Sequence, residues 1–388
     1  MKMLLVLGVP GSGCTTFLRV LANQRSGYAN IDGNIEYGGI DANTFAKLYR
    51  GEAVYSQEGT PMSWINMIVD DIHFPTLTVR QTLDFALETK VPRKRLPGES
   101  KEQFKRDVIS TLLKMYNIEH TENTLLGGNA RVRGISGGER KRVSIAEMMI
   151  SRGSVFCWDN TTRGLDSSTA LDFAKSLRIF TDIYKLPTIV SLYQASESIY
   201  SLFDKVLVIC EGRQVYFGPA TDARSYFEDL GFAAKLRQTT SDYLTACTDP
   251  LERDYAEGLN VSSVPDTAEK LERVYKSSAI FARMIEDKDA YKAEVTRDST
   301  ARDEFCRAVL DDKHSLTPKR SVYSIPFHKQ TIALYRRQFR LKWQDRFTLA
   351  TSWTTVMVIA ILVGTLFFNL PLTSQGAFTR GYIVHFRH

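Results

Sequence analysis

Ile135-Ser136-Gly137-Gly138-Glu139-Arg140-Lys141-Arg142-Val143 is the stretch from which the fold follows. A serine and two glycines open a helix expected over Glu139–Arg152, with Gly134–Gly138 as the loop before it. Backbone N–H groups and the positive end of the helix dipole then face outward, a surface suited to a phosphate held by a partner domain. A short apolar strand, Val155–Trp158, comes next and ends in Asp159, twenty residues beyond Glu139. At the N-terminus, Met3–Leu7 is an apolar run that stops at Gly8, the pattern of a buried parallel strand. A glycine-rich turn and a helix over Thr15–Asn23 follow it. Further strands are expected at Ile31–Tyr37, Ala53–Tyr55, Thr188–Leu192 and Lys205–Cys210, with Glu211-Gly212-Arg213 turning a hairpin into Gln214–Phe217. Helices are expected at Val79–Glu88, Glu102–Asn117 and Ser168–Tyr184. Strands alternating with helices give an α/β class with a mostly parallel sheet flanked by helices.

The totals narrow the partners. A hydrophobic share of 43% beside 24% charged residues is enough to bury a sizeable core. The net charge of +6 is mild and the basic residues form no long block, which argues against a nucleic-acid partner. Their densest cluster, Lys329, Arg336, Arg337, Arg340, Lys342 and Arg346, precedes an apolar stretch, a placement that points to membrane lipid. Cys14, Cys157, Cys210, Cys247 and Cys306 are scattered without metal-ligand spacing, so a reducing compartment is expected. Cys157 and Cys210, in apolar strands, read as core.

From about Ala233 to Arg320 periodicity weakens, and the segment reads as a linker with some helix around Thr267–Thr300. An amphipathic basic helix is expected over Phe327–Asp345. No charge occurs between Arg346 and Arg380. Leu349–Leu370, as a helix, spans roughly 33 Å against a hydrocarbon core of about 30 Å. The run exceeds the usual length of a buried soluble helix and carries Trp353 near one end, so it reads as membrane-spanning. The basic cluster sets its N-terminal side in the cytosol.

Gly8-Val9-Pro10-Gly11-Ser12-Gly13-Cys14-Thr15 matches the phosphate-loop pattern G-x-x-x-x-G-K-[ST] at all but one position. Gly8, Gly11, Ser12, Gly13, Cys14, Thr15 and Thr16 are the candidate nucleotide contacts, with Thr15 and Asp159 as candidate Mg²⁺ ligands. Cys14 stands where the lysine belongs. A lysine charge about 4 Å from a phosphate is worth on the order of 4 kcal/mol at an effective dielectric near 20, and a neutral thiol supplies none of it. Asn160, after Asp159, occupies the place of a glutamate that would polarise attacking water, and an amide accepts no proton. His73, in a loop, reads as solvated or hydrogen-bonded, and Arg140–Arg142 as a solvated helix face that neighbours the membrane domain, with phosphate binding as the alternative.

The order of phosphate loop, Ser136-Gly137-Gly138-Glu139, Asp159 and Gly164-Leu165-Asp166 resembles the ATP-binding cassette of ABC transporters: Walker A, signature, Walker B and D-loop. Within these, Pro10–Thr16, His73–Val79, Ser136–Glu147 and Leu370–Gly376 resemble the fungal pleiotropic-drug-resistance type of the ABCG subfamily, and the likeness runs from Met3 to about Arg380. The resemblance implies ATP and Mg²⁺ as cofactors and Tyr193 at the switch-histidine position. It also implies Glu58 near the Q-loop glutamine position and Asp166 in the D-loop. No catalytic set is intact: Cys14, Glu58, Asn160 and Tyr193 mark the degenerate positions. The signature Ser136–Glu139 is implied to complete a site whose Walker residues lie on a second cassette.

The likeness divides the chain into a cassette at 1–232 and a cytosolic linker at 233–325. An amphipathic connecting helix at 326–346 and a first transmembrane helix at 347–370 follow, then a tail at 371–388. The partners implied are a second cassette, transmembrane domains and lipid, at the plasma membrane with the cassette on the cytosolic side. Three departures stand out. Seven residues precede Gly8, fewer than a full cassette carries. Gly59–Val69 interrupts the Q-loop and reads either as translated non-coding sequence or as an inserted loop. The family pattern ends near Arg380, so the chain is expected to be a fragment. Its expected function is the cassette part of an efflux pump for drug-like or lipid-like substrates. The rival is a nucleotide-binding truncated product acting as a regulatory partner at the membrane. An unrelated soluble phosphate-loop enzyme fits neither the signature nor the apolar helix.

Overall fold

The computed structural model describes residues 2–49, 51–56, 73–92, 97–128, 132–151, 153–258, 264–313, 316–318, 321 and 323–366. Glu58, the 59–69 interruption, Leu370–Gly376 and the 371–388 tail lie outside these residues. The first half runs β1 (Met3–Leu7), α1 (Cys14–Leu21), β2 (Glu36–Tyr37), β3 (Ile40–Asp41), α2 (Ala42–Leu48), β4 (Ala53–Ser56), α3 (Val79–Glu88), α4 (Lys101–Met115), α5 (Gly137–Ile150) and β5 (Val155–Asp159). The chain then forms α6 (Ser167–Tyr184), β6 (Thr188–Ser191), α7 (Glu197–Tyr200), β7 (Lys205–Cys210), β8 (Arg213–Pro219), α8 (Ala220–Asp229), β9 (Phe232–Ala233), α9 (Thr240–Thr248) and β10 (Asp254–Tyr255). Five further helices are α10 (Ala268–Lys276), α11 (Ala279–Arg297), α12 (Thr300–Asp312), α13 (Phe327–Gln344) and α14 (Arg346–Leu366).

Six strands form the central sheet in the order β4-β5-β6-β1-β7-β8. The first five are parallel, and β8 closes the edge antiparallel to β7 through the expected hairpin. β1 sits between β6 and β7, and its residues Met3, Leu5 and Leu7 are almost fully buried. That burial on a central strand is why Met3–Leu7 is apolar throughout. Parallel strands with helical crossovers bring the C-terminal ends of β1, β5 and β6 to one rim, where α/β folds place ligands. Cys157 and Cys210 are core residues, as their apolar strands implied, and all five cysteines are free.

Three local expectations change. The strand expected at Ile31–Tyr37 reduces to Glu36–Tyr37, which pairs with Ile40–Asp41. Asp41 then caps α2 by accepting from the Asn43 and Thr44 amides, and this cap starts a helix in a segment the sequence reading left unassigned. The segment after residue 232 is more than a linker. Tyr243, Leu244, Cys247, Val264, Leu271 and Tyr275 join the main core, and Tyr275 donates to the Phe217 carbonyl on β8 at 2.7 Å. One compact unit spans Met1–Ala333 and a second spans Leu334–His388. Finally, Arg140–Arg142 is no freely solvated face. Lys141 is buried, Arg140 reaches the Leu126 carbonyl and Arg142 that of Tyr116.

Of the two readings of His73, solvated or hydrogen-bonded, the second holds, and the ring is buried. Ser144 donates to the Arg140 carbonyl, so its hydroxyl oxygen accepts from His73 Nε2 at 2.8 Å, leaving Nδ1 unprotonated. Burial, helped by the Arg140 charge, lowers the His73 pKa to about 4. An unfolded histidine titrates near 6.5. Between those values the unfolded chain binds the extra proton, so stability is complete above about pH 6.5 and is lost as pH falls toward 4. The ceiling is about 3.5 kcal/mol, two and a half units at about 1.4 kcal/mol each. Glu147, 3.8 Å from Nδ1, attracts the protonated ring and reduces the loss. Denaturation followed from pH 7 to pH 4 should therefore show a steeper decline for the native chain than for His73→Gln. Equal slopes would show that His73 does not contribute.

Two helices close the described chain. Along α13, Tyr335, Phe339 and Trp343 stack at intervals of four residues. α14 carries no charge after Arg346, and its large apolar side chains are exposed. It is long and apolar enough to cross a bilayer.

Candidate nucleotide site and signature helix

The turn from β1 into α1 is built by three glycines with different reasons. A Cβ on Gly8 would stand 2.3 Å from Ser12 Oγ and 2.6 Å from the Ile209 carbonyl, so only glycine fits there. Gly11 and Gly13 have φ of 87° and 106°, a region other residues rarely adopt. Gly13 caps α1 without any side-chain bond, so the first N–H groups of α1 take no side-chain cap. The turn is braced from beneath: the Gly212 N–H, at the β7–β8 hairpin tip, donates to the Ser12 carbonyl at 2.8 Å. Thr15 and Thr16 are exposed at the start of α1. These features fit the phosphate end of a nucleotide.

Cys14 is half-buried, with Sγ 3.4 Å from Ser12 Oγ. Burial raises its thiol above the ordinary value, and the Asp159 charge adds to the rise, so the position carries no charge at neutral pH. Asp159, at the end of β5, is buried and accepts two hydroxyl hydrogen bonds. Tyr55 donates to Oδ2 and Ser191 to Oδ1, both at 2.7 Å. Asn160 follows with a φ of 50°. Its amide donates to the Ser191 carbonyl at 3.0 Å, and its side-chain oxygen accepts from the Tyr193 amide at 3.3 Å. The Tyr193 ring is exposed. Walker A, Asp159, Asn160 and Tyr193 thus share one rim of the sheet, held there by β1, β5 and β6. Tyr55 and Ser191 were not anticipated; their partner lies far from both in sequence.

Ser136–Glu139, the expected signature, sit on a different element. Ser136 is the N-cap of α5 and forms a reciprocal capping box with Glu139: its hydroxyl accepts from the Glu139 amide, and its own amide donates to the Glu139 carboxylate. The other carboxylate oxygen lies 2.8 Å from His120 Nε2. The Ser136 amide bond, first, and His120 hold the Glu139 carboxyl below its ordinary range. A Cβ added to Gly137 or Gly138 would meet nothing within 4 Å, and neither glycine has positive φ. Asp166 caps α6, accepting from the Thr169 amide at 3.0 Å and its hydroxyl at 2.6 Å.

A parallel sheet with a glycine turn delivering a bare helix N-terminus defines a phosphate-loop nucleotide-binding domain. Residues 1–163 match the family described as ABC transporter. Among curated proteins the chain is 58% identical over 380 residues to ABC multidrug transporter I of Aspergillus fumigatus, covering 98% of this chain and 25% of that protein. It is 47% identical to ABC transporter G family member 17 of Dictyostelium discoideum, with the same shares covered. Against ABC multidrug transporter atrF of Aspergillus flavus it is 45% identical, over 99% of this chain and 24% of that protein. The chain therefore spans about a quarter of the length of the curated relatives it matches. A solved structure of cbiO1 from Clostridium perfringens, described as part of the ABC transporter complex cbiONQ, aligns with a TM-score of 0.43 at 18% identity. It covers 59% of this chain and 81% of that one.

Proposed function

We propose that this chain is the cytosolic nucleotide-binding part of an ATP-driven efflux transporter for drug-like or lipid-like molecules, and that it works asymmetrically. Its own Walker residues hold ATP and Mg²⁺ without hydrolysing it, and its signature helix completes a site on a second cassette. The observation that carries this reading is the open space around Gly137 and Gly138. The described residues leave this space open, which gives room for a group that approaches from outside. A helix N-terminus without side chains in the way offers its N–H groups to a phosphate.

The inactive half of the reading rests on the local chemistry. When bound, the metal would neutralise phosphate charge between Thr15 and Asp159. The chain's own residues do the rest: the glycine turn and α1 bind phosphate oxygens, Cys14 adds no charge, and Asn160 orients a backbone amide instead of taking a proton. Tyr193 presents a phenol at the switch position. Membrane attachment is supported by α14, by the basic and aromatic faces of α13, and by the transporter names of the relatives. The basic residues before α14 support a cytosolic cassette, and the resemblance to drug-resistance transporters suggests the plasma membrane.

The purified chain in detergent should therefore turn over ATP no faster than a buffer control. Turnover well above that control which disappears in Asp159→Ala would overturn the proposal.

A further inference from the structure

Glu139 stands in the first turn of α5, where a carboxylate is drawn to the same N–H groups that a phosphate would use. Both of its oxygens are engaged elsewhere. Oε2 accepts from the Ser136 amide at 2.8 Å, which folds the side chain back over the N-cap. Oε1 lies 2.8 Å from His120 Nε2, and an ionised carboxylate only accepts, so the imidazole donates. The space at Gly137 and Gly138 meanwhile stays open.

His120 is a fixed point although its side chain is largely exposed. It occupies a single turn, Glu119–Thr121, between α4 and α5. Thr121 is buried, and its hydroxyl donates to the Ile118 carbonyl at 2.7 Å. The Glu122 carbonyl accepts from the Arg80 amide at 2.9 Å, and its carboxylate pairs with the Arg80 guanidinium at 2.6 Å. The Val79 amide donates to the Thr124 carbonyl at 3.1 Å. The turn is thus tied to the start of α3 and presents His120 to α5 from outside that helix.

We propose that His120 is a positioning residue for α5: it holds the Glu139 carboxylate in the capping box and so keeps that charge clear of a phosphate at Gly137 and Gly138. The inference rests on the proposed role of this helix in a partner's site. Without the imidazole, Oε1 loses its donor, and the side chain regains rotamers in which it competes with phosphate for the helix N-terminus.

Hydrogen exchange on the whole detergent-solubilised chain reads the positioning, in a peptide that covers Ser136–Glu139. His120→Leu should speed exchange there by about three- to fivefold, the size expected for losing a partly exposed hydrogen bond to a charged group. His120→Gln sets a donor nitrogen the same number of bonds from Cα and should keep exchange within about twofold of the native chain. In a transporter assembled to include this sequence, His120→Leu should raise KM for ATP by about threefold with kcat little changed, and His120→Gln should not. In a Glu139→Gln background, where no charge needs holding, the KM effect of His120→Leu should shrink to less than about 1.5-fold. Exchange unaltered by His120→Leu, or equally fast in the leucine and glutamine variants, would overturn the proposal. So would a KM effect that persists undiminished in Glu139→Gln. Gly138→Asp separates the two levels. If it abolishes turnover while His120→Leu leaves KM unaltered, the proposal fails and the partner-site reading stands; if neither acts, that reading fails and the proposal falls with it.

Discussion

Cys14→Lys is expected to tighten ATP binding to this chain by roughly 30-fold while leaving it unable to hydrolyse the nucleotide. The thiol it replaces is neutral and half-buried, so the change adds a full positive charge at the phosphate end of the loop. A charge about 4 Å from phosphate is worth on the order of 4 kcal/mol at an effective dielectric near 20. The loop opens to solvent at Thr15 and Thr16, which roughly halves that figure, and about 2 kcal/mol corresponds to roughly 30-fold. Hydrolysis stays absent because Asn160 is unchanged and its side-chain oxygen is held by the Tyr193 amide. Titration with a fluorescent ATP analogue separates the outcomes. Unchanged affinity would mean that position 14 does not face phosphate, and the loop assignment would fall.

Gly138→Asp should have the largest effect on turnover, and should have it in a site this chain does not itself own. The substitution is mild for the fold: a Cβ there meets nothing within 4 Å, and an acidic residue in the first turn of α5 favours the helix dipole. The same carboxylate faces whatever approaches the helix N-terminus. Against a phosphate some 4–5 Å away at an effective dielectric near 20, the repulsion is roughly 3–4 kcal/mol, a loss of about two to three orders of magnitude in ATP turnover. Melting should be unchanged within a degree or two, which separates lost function from lost structure.

Much of this was legible in sequence because local signals and tertiary packing agree. The limits of α3 were readable as Val79–Glu88 because Thr78 and Gln81 form a capping box at its start. β1 and β7 were readable as strands because a central parallel strand is apolar on both faces. The glycine turn and the start of α5 were readable because local geometry restricts the residues there: no Cβ fits at Gly8, φ is positive at Gly11 and Gly13, and Ser136 and Glu139 form a capping box. Other elements were hidden for physical reasons. α9 is buried at seven of its nine positions, so it has no polar stripe and no period to detect. Its start is tied by Glu197, which accepts from the Thr240 amide and hydroxyl at 2.9 Å across 43 positions. The partners of Asp159 were equally unreadable: Tyr55 and Ser191 lie 104 and 32 positions away, and only strand register brings them together. His120 met Glu139 through a loop with no motif of its own.

The asymmetry of the two sites is the central claim, and one comparison tests it most directly. In a transporter assembled to include this sequence, steady-state ATP turnover should be measured for Gly138→Asp and, separately, for Asp159→Asn. The asymmetric account predicts that Gly138→Asp removes turnover almost completely while Asp159→Asn leaves it within about twofold of the parent. Turnover that survives Gly138→Asp, or that collapses in Asp159→Asn, would contradict it.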